Sequence, residues 1–206
     1  MDGSHGTLET LALVAGLAWA SGLRLYLTLF VIGLLVRFQL IALPAALDIL
    51  GDPWVLTASG IMLAAEFFAD KLPGFDSVWD SVHTFIRIQA AVILAGAAVG
   101  PADPALVAVA AILGGAIASS AHFAKAGTRA LINTSPEPFS NWAASIGEEL
   151  LLLGGLWTMI KFPLAFLAAL ALFILLSLWL IPKLYRALRG MFRALREALQ
   201  PRRGAT

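Results

Sequence analysis

Six stretches of predominantly apolar residues, each close to the length of a bilayer crossing, follow one another with short Gly, Pro, Asp and Asn breaks between them. They run over Leu8–Val36, Trp54–Lys71, Ser77–Val99, Pro104–His122 with an extension to Ile132, Phe139–Ile160 and Pro163–Ile181. A hydrocarbon core takes about 20 helical residues to cross, and inside it every backbone polar group must be bonded within its own segment. The pattern therefore restricts the chain to an all-α polytopic membrane bundle of about six transmembrane helices.

Composition agrees with this reading. Of the 206 residues 60% are hydrophobic and only 13% charged, with a mean hydropathy of +0.86, where a soluble domain carries about twice that charge. A disordered chain and a nucleic-acid binder are excluded by these values, and a disulfide-stapled secreted domain by the absence of cysteine. The expected partners are the lipid bilayer, a small ion or lipid-phosphate substrate, and a second copy of the chain through glycine-rich faces such as Gly114-Gly115 and Gly154-Gly155.

The charges are unevenly spread. Seven of the 14 basic residues and one of the 13 acidic ones lie from Lys183 onward, so the tail carries +6 and the body −5. Between Lys183 and Leu199, Leu184, Leu188, Met191, Phe192, Leu195 and Leu199 recur at steps of three and four among arginines, which predicts a basic amphipathic helix on the inner leaflet. Residues 1–182 then form the transmembrane domain and 183–206 a cytoplasmic tail. Six crossings with a basic end put both termini in the cytoplasm; Asp48, Asp52 and Asp103 fall outside, and the breaks around Pro73 and Pro136 inside.

The first run is 29 residues long, roughly 43 Å as a helix, and carries Ser21, Gly22 and Arg24 in its middle. A tilt or a break is expected there. Asp2, Glu9 and the lack of a basic leading segment argue against a cleavable signal peptide.

Pro73, Ser77 and Trp79 recur at a constant offset as Pro136, Ser140 and Trp142, each set following a Phe-Ala pair and a lysine. Weak internal repeats of this kind mark transporter folds whose interrupted helices meet around a substrate site. Ser77 and Ser140 are expected near helix N-caps, where free amides can receive an anion; a tight loop that merely stops and starts helices explains the prolines equally well.

Ionisable side chains inside a bilayer cost at least about 2.5–3.5 kcal/mol each on insertion scales, so they usually face a cavity or a partner. Here their spacing assigns one polar stripe per helix. Glu66 and Asp70 are four apart; Asp76, Asp80, His83 and Arg87 follow at four, three and four; His122, Lys125, Arg129 and Asn133 at three, four and four; Asn141, Ser145 and Glu148 at four and three, with Glu149 beside them. With Arg24 and the loop residue Glu137, these stripes are the candidate ion pathway, and Arg24 and Arg87 are expected to pair with Glu66, Glu148 or Glu149.

Asp76, Asp80 and His83, completed by Glu66 or His122, have the oxygen and nitrogen donors that suit a divalent metal ion. The nearby Lys71, Arg87, Lys125 and Arg129 offer the competing explanation, an ion-pair network. The segment Lys125–Asn141 is rich in hydroxyl, amide and cationic donors of the kind a phosphate headgroup needs.

The strings Ala20-Ser-Gly-Leu-Arg-Leu-Tyr26, Glu66 through Arg87, and Asn133-Thr-Ser-Pro-Glu-Pro-Phe-Ser-Asn-Trp142 together resemble a family of small bacterial membrane proteins classed as a domain of unknown function. The resemblance covers about Leu8 to Ile160 and implies a bacterial inner-membrane location, with no substrate to carry over. The leading functional expectation is a transporter or channel for a small ion, cationic or proton-coupled. A lipid-phosphate flippase is the alternative, and a metal-dependent enzyme acting on lipid headgroups ranks last, since aspartate-rich transferase patterns and a cysteine nucleophile are missing.

Overall fold

The computed structural model describes residues 3–72, 75–134 and 138–199, with side chains for 6–72, 75, 78–134, 139–191 and 193. Every regular element among them is helical: α1 (Gly3–Arg37), a 3₁₀ segment (Ala45–Gly51), α2 (Pro53–Ala69), α3 (Phe75–Ala98), α4 (Pro104–Ile132), α5 (Pro138–Lys161) and α6 (Pro163–Leu199). Five of these helices are long and apolar enough to cross a membrane, or six if the 3₁₀ segment and α2, bent by 63°, count as one crossing. The second apolar run, Trp54–Lys71, forms the single helix α2, which is too short to count as a crossing alone. Its helix has 17 residues, about 25 Å of rise, and needs the bent 3₁₀ segment to make up the thickness.

α1 is the axis of the bundle and packs against every other helix. Two-thirds of its most apolar window is buried, against a third or less for the other spans. Large apolar side chains such as Phe85, Ile93, Ile112, Leu150, Leu164 and Trp179 face outward from the surrounding helices, as a lipid-facing belt requires. Close approach to the axis depends on small residues. A Cβ at Gly22 would strike the backbone of Ala118 on α4, and one at Gly33 the carbonyl of Leu50. Gly114, Gly115 and Gly155 likewise meet Ala95, Val92 and Trp19 of this same chain, whereas Gly154 meets nothing within 4 Å.

The expected break in α1 falls at Arg24, whose backbone is extended (φ −147°, ψ 89°) between two helical halves. The helices α2 and α4 begin alike. Asp52 and Asp103 accept N-cap hydrogen bonds from Trp54 N (2.8 Å) and Ala105 N (2.7 Å), each followed by a proline in the first turn. Two of the acids expected in outer loops therefore satisfy helix ends.

The two repeat copies also start their helices in the same register. α3 begins at Phe75 and α5 at Pro138, so Ser77 and Ser140 are both third residues of helices. Both lie in the first turn of their helices, near the expected capping place. Pro73 and Pro136 are outside the described residues. The basic stretch after Lys183 is not a separate helix either. α6 continues through Pro182 to Leu199, and Leu184 packs beside Gly127 of α4. Pro182 is exposed, and the helix runs on past it with the loss of only the one backbone hydrogen bond that a proline cannot donate.

Candidate functional site: an interlocked charge network

Four of the predicted stripes converge on the break in α1, and the interior they enclose is charged. The α1 break turns Arg24 toward two other helices. Its Nη2 lies 3.2 Å from Asp70 Oδ2, its Nη1 lies 3.0 Å from Glu149 Oε1, and Ser145 adds its hydroxyl at 3.3 Å. Asp70 is the residue that ends α2, so the broken middle of one helix is tied to the end of another.

Arg87 of α3 holds a second corner. It donates to Glu66 Oε1 at 2.6 Å and to Asp80 Oδ1, and its own helix carries His83 and Thr84 one turn from Asp80. His122 of α4 stands behind it, with Nδ1 3.4 Å from Arg87 Nη1 and Nε2 2.8 Å from the Thr84 hydroxyl. Arg129 of α4 forms the third corner. It grips Glu148 with two hydrogen bonds of 2.8 and 2.9 Å, the fork-on-carboxylate arrangement that only arginine provides. Its remaining Nη1 donates to the carbonyls of Asp70 (3.1 Å) and Asn141 (3.2 Å). Asn141 in turn donates to Asn133 at 2.7 Å. Arg129 therefore bridges the two places where the repeat interrupts the helices.

Lys125 lies between the three corners. Its Nζ is 3.6 Å from Asp70, 3.5 Å from Asp80 and 3.5 Å from Glu148. Arg24, Arg87 and Arg129 are among the largest fully buried side chains of the molecule. Such residues persist in an apolar interior only when paired and hydrogen-bonded.

Of the expected site residues, Arg24, Glu66, Asp70, Asp80, Arg87, His122, Lys125, Arg129, Asn133, Asn141, Glu148 and Glu149 are brought together in this way. The pairing of Arg24 with Glu149 and of Arg87 with Glu66 follows the expectation, while Glu148 goes to Arg129. His83 stands apart. Its Nδ1 is 2.9 Å from the Trp79 carbonyl, its ring stacks on Trp79 with centroids 4.0 Å apart, and Tyr26 meets it edge-on. The Asp76 side chain and all of Glu137 lie outside the described residues. Among the described residues no three His, Asp or Glu side chains gather as a metal centre requires; Asp80 and Glu66 are engaged with Arg87 instead.

Two hydroxyls extend the predicted set. Thr84 contacts His122, and Thr28 donates to the Arg24 carbonyl at 2.9 Å, next to the break. Both sit four residues after a charged stripe member, which is the signal that picks them out. Lys71, beyond the end of α2, lies over the Phe67 ring at 3.0 Å. Burial pushes its ammonium below the ordinary lysine value, against the pull of Glu149.

Between α1, α2 and α5 lies a cavity of about 310 Å³ lined by Leu27, Phe30, Gly60, Leu63, Ala64, Phe67 and Glu149.

No curated protein and no solved structure matches the chain. A family profile does match, over residues 11–183, and takes in five of the six apolar runs whole, all but the first three residues of the other, and every charged residue of the network. The chain belongs to that family, described as a domain of unknown function (DUF4126).

Proposed function

We propose that this protein carries a small cation across a membrane through its charged interior. The observation that carries the reading is the broken central helix at Arg24, held by carboxylates from two other helices. A bundle that only has to be stable gains little from such an arrangement, because well-packed apolar residues of similar volume do as well or better than buried ion pairs. Interrupted helices with ionisable groups at their breaks are what ion pathways use.

The sign of the cargo follows from the partners. Arg87, Lys125 and Arg129 each face carboxylates within 4 Å, so the cations of the described network are already engaged, which speaks against a phosphate headgroup. The described network has five carboxylates against four cations, a balance that favours positive charge. Counting the bent 3₁₀–α2 pair as one crossing makes the number of crossings even. With that count, the basic residues after Lys183 favour both termini on the cytoplasmic side of a bacterial inner membrane.

Reconstitution tests this. Purified protein in liposomes is expected to release or accumulate a monovalent cation reported by an indicator dye or radiolabel, and Asp80→Asn or Glu148→Gln to stop the flux. Undiminished flux in both variants would refute the assignment.

A further inference from the structure

We infer that α1 is a re-entrant hairpin with Arg24 at its apex: both halves open on one face of the membrane, the chain crosses five times, and its two ends lie on opposite faces. The even count above takes α1 as one crossing, which its length allows but its contacts contradict. Along a straight helix Leu13 and Leu35 would stand about 33 Å apart. Instead both border cavities lined by Ile160, at the end of α5. Gly16 of the first half lies against Met159, and Val31 of the second lines a cavity with Leu153 and Trp157. Arg24 between them reaches Ser145 and Glu149, about two to three turns nearer the start of α5. The two halves therefore run beside one stretch of one helix, down to Arg24 and back, and the extended backbone of that single residue makes the turn.

The open ends of the hairpin meet as well. Glu9 and Thr10 share a cavity of about 360 Å³ with Ile41 and Pro44, which follow the second half, and with Ala98 at the end of α3. A Cβ at Gly100, in the turn from α3 to α4, would touch Pro44, and one at Gly51 would touch Val36 and Arg37. The end of α3 and the approach to α2 thus lie at the same end of the bundle as both ends of α1. The apex stops short of the other face: Ser145 is the eighth residue of α5, so about 10 Å of that helix continue beyond it.

Charge follows this geometry. Asp, Glu, Lys, Arg and His are absent from residues 10–23 and 25–36 of α1, 54–65 of α2, 88–102, 104–121 of α4 and 150–160 of α5. On each of these elements the half beside the hairpin is uncharged, and the network begins at the level of the apex. Leu184 beside Gly127 puts the basic end of α6 on that charged side. The hairpin is thus an apolar wall between the network and the face on which α1 opens, where a simple crossing would carry the chain past the charges to the other side.

The chain contains no cysteine, so each introduced thiol is the only one. Gly6→Cys, Ala102→Cys and Gly190→Cys place it at the start of α1, between α3 and α4, and on the basic end of α6; all three positions are exposed, and a Cβ at Gly6 or Gly190 meets nothing within 4 Å. The full chain in sealed vesicles of known orientation is treated with a membrane-impermeant maleimide, and unreacted thiols are counted after solubilisation. Gly6→Cys should react from the same side as Ala102→Cys, and Gly190→Cys from the opposite side only. Reaction of Gly6→Cys from the side of Gly190→Cys overturns the inference, as does any result that puts Ala102→Cys and Gly190→Cys together. A double variant, Glu9→Cys with Ala42→Cys, reads the hairpin without reference to sidedness: a short bis-maleimide should join the two thiols within one chain, and two singly labelled thiols with no link overturn it. The inference stands apart from the transport reading. Absent flux with the expected labelling defeats transport and leaves the hairpin, and flux with Gly6→Cys on the side of Gly190→Cys does the reverse.

Discussion

Arg24 Nη2 lies 3.2 Å from Asp70 Oδ2, and neither side chain has any exposure. One residue sits at the break of the central helix and the other at the end of α2, so this pair fixes where an interrupted backbone meets a helix terminus. Its two members are unequal. Arg24 also holds Glu149, while Asp70 is shared among Arg24, Lys125 and Arg129. Arg24→Ala should therefore cost about 3–5 kcal/mol, the usual penalty for stripping a buried pair of one member. Asp70→Asn should cost clearly less, because each cation keeps another carboxylate. Unfolding in detergent of both variants and the double mutant would give the coupling, and equal single losses would contradict this account.

Arg129→Lys tests the bridge between the helix interruptions. A lysine keeps the charge but loses the two-bond grip on Glu148 and the bonds to the Asp70 and Asn141 carbonyls. Charge-assisted hydrogen bonds contribute about 1.5–3 kcal/mol, so the variant should lose roughly that much stability. Hydrogen exchange should quicken in the last turn of α2 and the first turns of α5, while α1 near Ala12–Ala18 stays protected. Uniformly faster exchange would mean that Arg129 supports the whole bundle and not this junction.

Gly22 and Gly154 make a matched comparison. A methyl group at Gly22 falls on the Ala118 backbone, where nothing flexible can yield, whereas Gly154 meets nothing within 4 Å. Gly22→Ala should destabilise by more than about 2 kcal/mol through separation of α1 from α4. Gly154→Ala should be neutral or slightly stabilising, as the helical preference for alanine implies. Size-exclusion profiles in detergent after a heating series distinguish the two, and similar survival of both would contradict the packing argument.

The charged site was largely legible in the sequence because its logic is local. Glu66 with Asp70, His122 with Lys125 and Arg129, and Asn141 with Ser145 and Glu148 share helix faces by the helical period alone. Which stripe meets which is a matter of packing between helices, and that is where the reading fell short. Glu148 went to Arg129, and His83 kept its place on the stripe but turned its ring onto Trp79. The bend between the 3₁₀ segment and α2 is invisible for a similar reason: hydropathy counts apolar residues and carries no direction. Pro182 reads as a boundary, yet α6 passes through it, since a proline removes one donor and two turns of helix packing, as at Leu184 beside Gly127, do not register in a hydropathy pattern.

His83 and Asp80 are three residues apart on α3 and should behave differently in transport. Asp80 belongs to the charge network around Lys125, while the described contacts of His83 are with Trp79 and Tyr26. His83→Phe should keep flux within about twofold of wild type, because a stacked ring is replaced by a stackable one. Asp80→Asn should lower flux at least about tenfold through loss of an intramembrane charge. A loss in His83→Phe as deep as that in Asp80→Asn would bring the imidazole into the pathway.

Glu149 differs from Glu66 and Asp70 in lining an apolar cavity. Its side chain is 27% exposed beside the cavity between α1, α2 and α5, whereas Glu66 and Asp70 are fully buried. A hydrophobic carbodiimide partitions into the hydrocarbon and reacts with carboxyl groups that it meets there. It should therefore modify Glu149 well before Glu66 or Asp70, as read by peptide mass mapping of protein labelled in liposomes. The cavity walls predict the control. Ala64→Trp places a large ring where Phe30, Leu63 and Phe67 leave space, so it should slow the labelling of Glu149 without touching the ion pairs themselves. Because Glu149 also holds Arg24, the adduct should loosen that arginine and lower the unfolding midpoint, which ties the cavity to the break in α1. Labelling of Glu66 at the same rate, or of Glu149 unaffected by Ala64→Trp, would show that the reagent arrives by another route.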